Sequence, residues 1–288
     1  MAESRLQGKK AIVTGSGTGI GREIALEFAR QGADVVLHYA HSDAGANSAV
    51  EEIAAMGRRA TALKADFALV EEATAFGEQA IEFLGGVDCL VNNAGITLNM
   101  PFLKTTREQY DTLYSVNIRA QFFLTQLVAR HMIEAGGGAV CNITSIHGVS
   151  GAPEHAVYAG TKGAIIAYTR ALAIEIAHKG VRVNAIAPGW IDVENHARIM
   201  PGYTPRSADE TAYNKVPVGF HGVPLDVAKL AVFLCTEDAR FIIGQTVILD
   251  GGTTSLMSLI DDFRGESSSR FGLGYVAGVE APRRAGDT

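Results

Sequence analysis

Seven short apolar runs, alternating with six longer segments of helical periodicity, limit the folds open to this chain more than any other feature. The runs lie at 11–13, 35–37, 60–63, 89–91, 140–143, 183–187 and 247–249. Each is short and apolar without strict alternation, as expected of strands buried on both faces of a parallel sheet. The segments between them, near 20–31, 43–56, 69–84, 106–135, 156–179 and 225–236, are long enough for crossover helices. Parallel strands need such crossovers, and the crossovers are right-handed. The expected fold is α/β: a single doubly wound Rossmann domain over residues 1–252, with a seven-stranded parallel sheet and helices on both faces. In such sheets ligands bind at the carboxyl ends of the strands, where strand order reverses.

Composition agrees with one large α/β domain. The chain has 288 residues, 47% hydrophobic and 19% charged, enough to bury a sizeable core. The net charge of −6 gives no electrostatic case for nucleic acid or an anionic membrane. The polar N-terminus has no signal-peptide apolar region, and no apolar run reaches the ~20 residues of a membrane span. Cys89, Cys141 and Cys235 are far apart and set in apolar sequence. They read as buried core residues of a protein of the reducing cytoplasm, without disulfides and without a metal site.

The residues that could carry chemistry fall where the strands should end. Thr14-Gly-Ser-Gly-Thr-Gly-Ile-Gly21 joins the first strand to the first helix. Its glycines suit a tight turn against a pyrophosphate, held by the free N–H groups and dipole of the helix. The frame Gly15-x3-Gly19-x-Gly21 differs from Gly-x-Gly-x-x-Gly. Further on, Tyr158-Ala-Gly-Thr-Lys162 places a phenol and an ammonium on one helix face, four residues apart. An adjacent ammonium favours the phenolate, which would prepare Tyr158 to exchange a proton with an alcohol or carbonyl. Ser145, on a preceding turn, is placed to hold the substrate oxygen.

The glycine frame, the phrase Asn92-Asn-Ala-Gly95, Asn117 and the Ser145/Tyr158/Lys162 set together resemble the short-chain dehydrogenase/reductase family over residues 6–252. Within it the chain looks most like bacterial glucose 1-dehydrogenases and related sugar dehydrogenases, through Thr14-Gly-Ser-Gly-Thr-Gly, the stretch from Tyr39 to Ser48 and Ser145-Ile-His147. The resemblance implies roles. Asn117, Ser145, Tyr158 and Lys162 are catalytic, with Lys162 also binding the nicotinamide ribose and Asn117 holding a water in a proton relay. Gly15, Ser16, Gly17, Thr18, Gly19, Ile20 and Gly21 hold the dinucleotide. Asp66 and Phe67 meet the adenine, Asn93, Ala94 and Gly95 line the nucleotide, and Pro188, Gly189 and Ile191 flank the nicotinamide. It also implies a dimer or tetramer.

No acid follows the second strand at 37–42, whereas an acid there would hold the ribose hydroxyls of NAD. His38, Tyr39, His41 and Ser42 suit a 2′-phosphate, so NADP is expected, with NAD possible. The arginine of many NADP-dependent relatives is missing at Thr18 and Ala40.

The substrate side is polar. A lid is expected over 190–217, and His147, Glu154, Trp190 and Asn195 are candidate substrate contacts. Paired polar groups beside an aromatic face suit a small polyhydroxylated substrate, a sugar or polyol. A 3-oxoacyl thioester reductase is the enzymatic alternative, and a non-catalytic nucleotide-binding regulator is the alternative of another class. Phe122, Phe123, Leu127, Val128, Ile165, Ile166, Leu172 and Ile176 outnumber what one sheet face can cover, which points to a homo-oligomer. Residues 253–288 form a C-terminal extension, of which 256–279 are expected to pack across a subunit boundary.

Overall fold

A computed structural model describes residues 4–194, 196–199 and 202–257. Seven parallel strands make one sheet in the order β3-β2-β1-β4-β5-β6-β7. They are β1 Lys10–Val13, β2 Asp34–Tyr39, β3 Ala60–Lys64, β4 Cys89–Asn92, β5 Gly138–Ile143, β6 Val181–Pro188 and β7 Thr246–Leu249. Every apolar run is a strand. Strand order reverses between β1 and β4, which pair through Ala11↔Cys89 and Val13↔Val91. The crevice at their carboxyl ends is therefore the binding edge.

Side chains alternate across the sheet, and both faces are buried. Ala11, Val13, Val35, Leu37, Cys89, Val91, Cys141 and Ile143 share one apolar layer with helices α1 Gly19–Arg30, α2 Asp43–Ala55 and α9 Pro224–Cys235. Ile12, Val36, Leu90, Val140 and Val183 face the opposite layer, closed by α3 Val70–Leu84, α5 Gln121–Glu134 and α6 Ala156–Ile176. Phe28, Phe76, Leu124 and Ile165 are among the largest fully buried side chains, each worth roughly 1.5–3 kcal/mol of transfer free energy. The three cysteines are buried and free.

The segment 106–135 is not one helix. It starts as α4 Arg107–Tyr114, capped by Thr106 and Gln109, winds through a π-helical turn over Ser115–Ala120, and continues as α5. The described residues of 190–217 include helices where the prolines suggest only loop. The segment carries α7 His196–Ile199 and α8 Pro205–Lys215, the latter started by Thr204 with Pro205 in its first turn. Its base is tied to Asp192: the Tyr203 hydroxyl donates to that carboxylate, and His196 Nδ1 lies 3.4 Å from it.

Of the apolar residues expected to exceed the sheet's cover, Val128, Ile165, Ile166 and Ile176 are buried within the chain, while Phe122 and Phe123 remain 44% and 42% exposed. Asn195 and residues 258–288, which hold nearly all of the expected tail contact, lie outside the described residues. No helix among the described residues is long and apolar enough to cross a membrane.

Candidate active site

The glycine turn leaves β1 and is held from three sides. Gly15 and Gly19 have φ of +62° and +54°, conformations in which a side chain is strained. A Cβ on Gly21 would stand 2.2 Å from the Gly15 oxygen, and one on Gly17 2.6 Å from Ser42 Cβ. Asn93 Nδ2 donates to the carbonyls of Thr14 and Gly15 at 3.0 Å each. Thr14 Oγ1 accepts the backbone N–H groups of Asn93 and Ala94 at 2.9 Å each. Thr14 thereby links the turn to the end of β4.

The α1 N-terminus meets the requirements of a phosphate site. Thr18 caps it without a side-chain hydrogen bond, and its first turn has no acidic residue. Its end N–H groups and positive dipole are thus uncompensated by side chains.

Three residues expected to touch the nucleotide have side chains engaged within the protein. The Ser16 hydroxyl donates to Val13 O at 2.8 Å and accepts the His38 N–H, and the Ser16 N–H donates to His38 O. Ser16 is a brace, with neither donor free for a ligand. Phe67 is only 4% exposed, its ring stacked on His38 at 3.8 Å. Ile191 is 6% exposed and packs in the core, so it can meet a nicotinamide only through its backbone. The bridge to Gly222 runs through Asp192 N–H, Trp190 O and the Gly222 backbone, leaving the Ile191 N–H outside it.

His38 corrects the expectation of a 2′-phosphate contact. It lies at the inner face of β2, 2% exposed. Its Nδ1 accepts the Gly15 N–H at 3.0 Å, and its Nε2 pairs with Ala65 O at 3.0 Å. Two opposite roles on one ring fix the neutral Nε2–H tautomer. Burial pushes its pKa down to about 4. Tyr39, His41 and Ser42, the other residues expected at the ribose, follow the end of β2, with Asp43 beside the Tyr39 phenol. Burial first, and then the Asp43 charge, push that phenol up. Asp66 is exposed at the end of β3, where its carboxylate accepts Ala68 N–H at 2.9 Å.

At the ends of β5 and α6 stand the three candidate catalytic side chains. Ser145 follows β5, and its hydroxyl accepts the His147 N–H at 3.2 Å. Tyr158 is the third residue of α6, a helix of 21 residues without an acid in its first turn. The positive end of the helix therefore favours the phenolate. Burial, the larger effect, pushes the Tyr158 pKa up, while a hydrogen bond with Ser145 pulls it down, and the net shift is upward. The expected depression by Lys162 does not appear in this geometry. Lys162 Nζ lies 5.6 Å from the Tyr158 ring centroid and donates to Ile143 O at 3.0 Å. Burial pushes Lys162 itself down to about 8. The ammonium has three donors, one of them taken by Ile143 O, and the residue is 5% exposed.

Asn117 reaches this cluster through the π-helical turn. It is fully buried, with Oδ1 accepting Ile96 N–H at 2.8 Å and Nδ2 donating to Ile96 O and Thr161 Oγ1. Thr161 in turn donates to Tyr158 O at 2.7 Å, so Asn117 braces the turn of α6 that carries the phenol. Its side chain has no donor left for a relay water. A Cβ on Gly95 would lie 3.3 Å from Asn117 Oδ1 and 3.6 Å from Lys162 Nζ, so a side chain there would crowd the space between them. Gly189 is constrained more tightly, since its Cβ would meet Asp250 Cβ at 2.6 Å. Pro188 ends β6 beside it.

Asn92, whose phrase Asn92-Asn-Ala-Gly95 is expected to support the central sheet, opens a polar rod inside it, and sequence reasoning missed its partners. Asn92 Nδ2 donates to Thr125 Oγ1 and Asn142 Oδ1, and Asn142 Nδ2 to Thr169 Oγ1. Four residues from β4, β5, α5 and α6 thus lock the strand ends below the site, and no local motif marks Thr125, Asn142 or Thr169. Near Tyr158 the rings of His147 and His155 stack at 4.4 Å. Glu154 is exposed, and Trp190 lies 6.1 Å from His221.

A doubly wound sheet carrying this glycine turn and this Ser–Tyr–Lys cluster at its carboxyl edge defines a nicotinamide-dinucleotide oxidoreductase. Residues 15–254 match the family model described as enoyl-(acyl carrier protein) reductase. The hydroxynaphthalene reductase-like protein Arp2 of Metarhizium anisopliae is 36% identical over 259 residues, 87% of this chain and 96% of that one. A 7α-hydroxysteroid dehydrogenase solved with NADH and 7-oxo glycochenodeoxycholic acid is 37% identical over 87% of this chain and 96% of its own, with a TM-score of 0.81. A short-chain dehydrogenase from Burkholderia cenocepacia, solved with NADP, is 33% identical over 87% and 99%, with a TM-score of 0.80. The chain belongs to the short-chain dehydrogenase/reductase family. It is an NAD(P)-dependent oxidoreductase. The Metarhizium relative bears the name of a hydroxynaphthalene reductase-like protein rather than that of a glucose 1-dehydrogenase.

When bound, the dinucleotide accepts or supplies the hydride. The residues present fit it: an α1 N-terminus whose N–H groups take no side-chain cap for the pyrophosphate, and a buried ammonium with unused donors for the ribose.

Proposed function

We propose that the enzyme interconverts a secondary alcohol and a ketone on a small polyhydroxylated molecule, a sugar or polyol. In this reading Tyr158 passes the proton to or from the substrate oxygen. Ser145 orients that oxygen, and Lys162 binds ribose and adds positive charge near the phenol. Asn117 acts as a positioning residue through Thr161. In this reading the lid expected over 190–217 covers the substrate, with Trp190 as a candidate contact. The observation that carries the substrate class is the set of polar rings, His147 and His155, 5.8 and 6.3 Å from the Tyr158 ring. Sites built from hydrogen-bonding groups select substrates that pair with them.

A second reading is a hydroxylated aromatic ketone. It is favoured by the 36% identity to a hydroxynaphthalene reductase-like protein over nearly its whole length. A 3-oxoacyl thioester remains the third class, in line with the description of the family model.

A panel of aldoses, polyols, polyhydroxynaphthalene-type ketones and acyl thioesters, followed at the nicotinamide absorbance with NAD and NADP, decides among them. Turnover of sugars or polyols above the other classes is the expected result. Tyr158→Phe should abolish turnover of whichever substrate is found. A Tyr158→Phe protein with full turnover would overturn the mechanism and return the chain to the nucleotide-binding regulators.

A further inference from the structure

His147 and His155 come from different segments, yet their rings lie parallel, 2° apart with centroids at 4.4 Å, and both meet the Tyr158 ring edgewise at 71°. His147 sits in the turn after Ser145, and His155 immediately precedes α6. The loop that brings them together is strained. Glu154 has φ of +64°, the one non-glycine residue with positive φ among the described residues. Backbone strain of this kind persists where surrounding structure holds it. Here Glu154 O accepts the Met100 N–H at 2.9 Å, which ties this loop to the segment that follows β4.

The nitrogens of the pair are the informative atoms. His155 Nδ1 pairs with Pro153 O at 2.7 Å. A carbonyl only accepts, so Nδ1 carries the hydrogen and a neutral His155 keeps an acceptor at Nε2. Among the described residues, neither ring nitrogen of His147 has a protein hydrogen bond, and His155 Nε2 has none either. Both rings are partly buried. Burial and then His155 push the His147 pKa down, which keeps that ring neutral with one donor and one acceptor. Three polar atoms without protein partners among the described residues thus stand on rings 5.8 and 6.3 Å from the Tyr158 ring. Unpaired polar groups in a half-buried cleft cost free energy that a ligand's oxygen recovers.

We propose that the stacked His147–His155 pair is a specificity element that receives an oxygen on the carbon next to the reacting one, so that the enzyme prefers α-hydroxyketones and vicinal diols over simple ketones and alcohols. This rests on the reading of Tyr158 as the proton-transfer residue. Glu154 sets the pair by its backbone, and its carboxylate is not needed.

The test uses the full chain with saturating NADPH and two small ketones, hydroxyacetone and acetone, which differ by the one hydroxyl. Wild type should favour hydroxyacetone in kcat/KM by about tenfold, the worth of one hydrogen bond. His147→Phe and His155→Phe keep a stackable ring and lose the nitrogens, so that preference should fall toward equality, mainly through KM. In parallel, the imidazole carbon-bound proton signals of His147 and His155 in the NADP complex should shift with hydroxyacetone and not with acetone. Equal effects of the two ketones on those signals, no effect of either, or an unchanged preference in both variants would overturn the proposal. Tyr158→Phe, run alongside, separates this failure from failure of the catalytic reading, since that variant should reduce neither ketone.

Discussion

His38 Nδ1 accepts the Gly15 backbone N–H at 3.0 Å, so a buried imidazole of the second strand holds the first residue of the dinucleotide turn. The ring is fixed in turn by Ala65 O and by the Phe67 face. His38→Phe keeps the apolar volume and removes both hydrogen bonds. Cofactor affinity should weaken at least about tenfold, the worth of one such bond, measured by fluorescence titration with NADPH. Acid sensitivity should change as well. The folded pKa of about 4 lies below the ordinary value near 6.5. The stability that neutral His38 contributes is therefore fully present above pH 6.5 and lost as pH falls toward 4, by up to about 3 kcal/mol. Urea denaturation should show a shallower acid decline in His38→Phe.

Lys162 has the same sign of shift. Its folded pKa of about 8 lies below the ordinary lysine value of 10.5, so the unfolded chain holds a proton that the folded one releases between those values. Stability of the cofactor-free protein should thus rise with pH across that window. Lys162→Met should be more stable than wild type at pH 7 without cofactor, by up to about 3 kcal/mol, and the difference should shrink above pH 8. Hydride transfer should be lost in the same variant. Melting curves at several pH values, with and without NADPH, check both. A less stable Lys162→Met protein at pH 7 would show that the Ile143 O contact outweighs the burial of the charge.

Cofactor choice should turn on the last residue of β2. Tyr39 is half-buried at the end of β2, and His41 and Ser42 follow it. A carboxylate at that strand end accepts from ribose hydroxyls and repels a 2′-phosphate. Tyr39→Asp should move the NADP/NAD ratio of kcat/KM toward NAD by roughly tenfold or more. An unchanged ratio would place the discriminating contacts elsewhere.

Phe122 and Phe123 form an edge-to-face pair at 5.5 Å on the outer side of α5 and are 44% and 42% exposed. Exposed aromatic pairs of this kind suit a symmetric interface. Phe122→Glu with Phe123→Glu should lower the mass measured by light scattering at micromolar concentration, with little loss of helical circular dichroism. A wild-type monomer would remove the basis for this expectation.

The strands, the glycine turn and the Ser145/Tyr158/Lys162 spacing were legible in the sequence because local chemistry encodes them. Apolar runs mark strands buried on both faces, Gly15, Gly19 and Gly21 mark backbone that no other residue fits, and a four-residue spacing on a helix fixes a shared face. What tertiary structure decided is which neighbour each polar group meets. The alternation of β2 turns His38 inward, but only the approach of Gly15, Ala65 and Phe67 makes it a brace rather than a phosphate contact. The π-helical turn at Asn117 depends on Ile96 and Thr161, 21 and 44 residues away, and no helical period in 115–120 announces it. The downward effect of Lys162 on Tyr158 follows from their spacing on an isolated helix. In the folded chain Ile143 O takes the ammonium and burial dominates the phenol. His147 and His155 lie eight positions apart, too far for one helical turn and with no strand between them. Their stacking exists because Glu154 accepts a left-handed backbone that Met100 helps to hold. Local pattern thus determined the scaffold and the identity of the reacting groups, while contacts between distant segments set their protonation and their partners, because burial and hydrogen bonding depend on what surrounds a side chain and not on what flanks it along the chain.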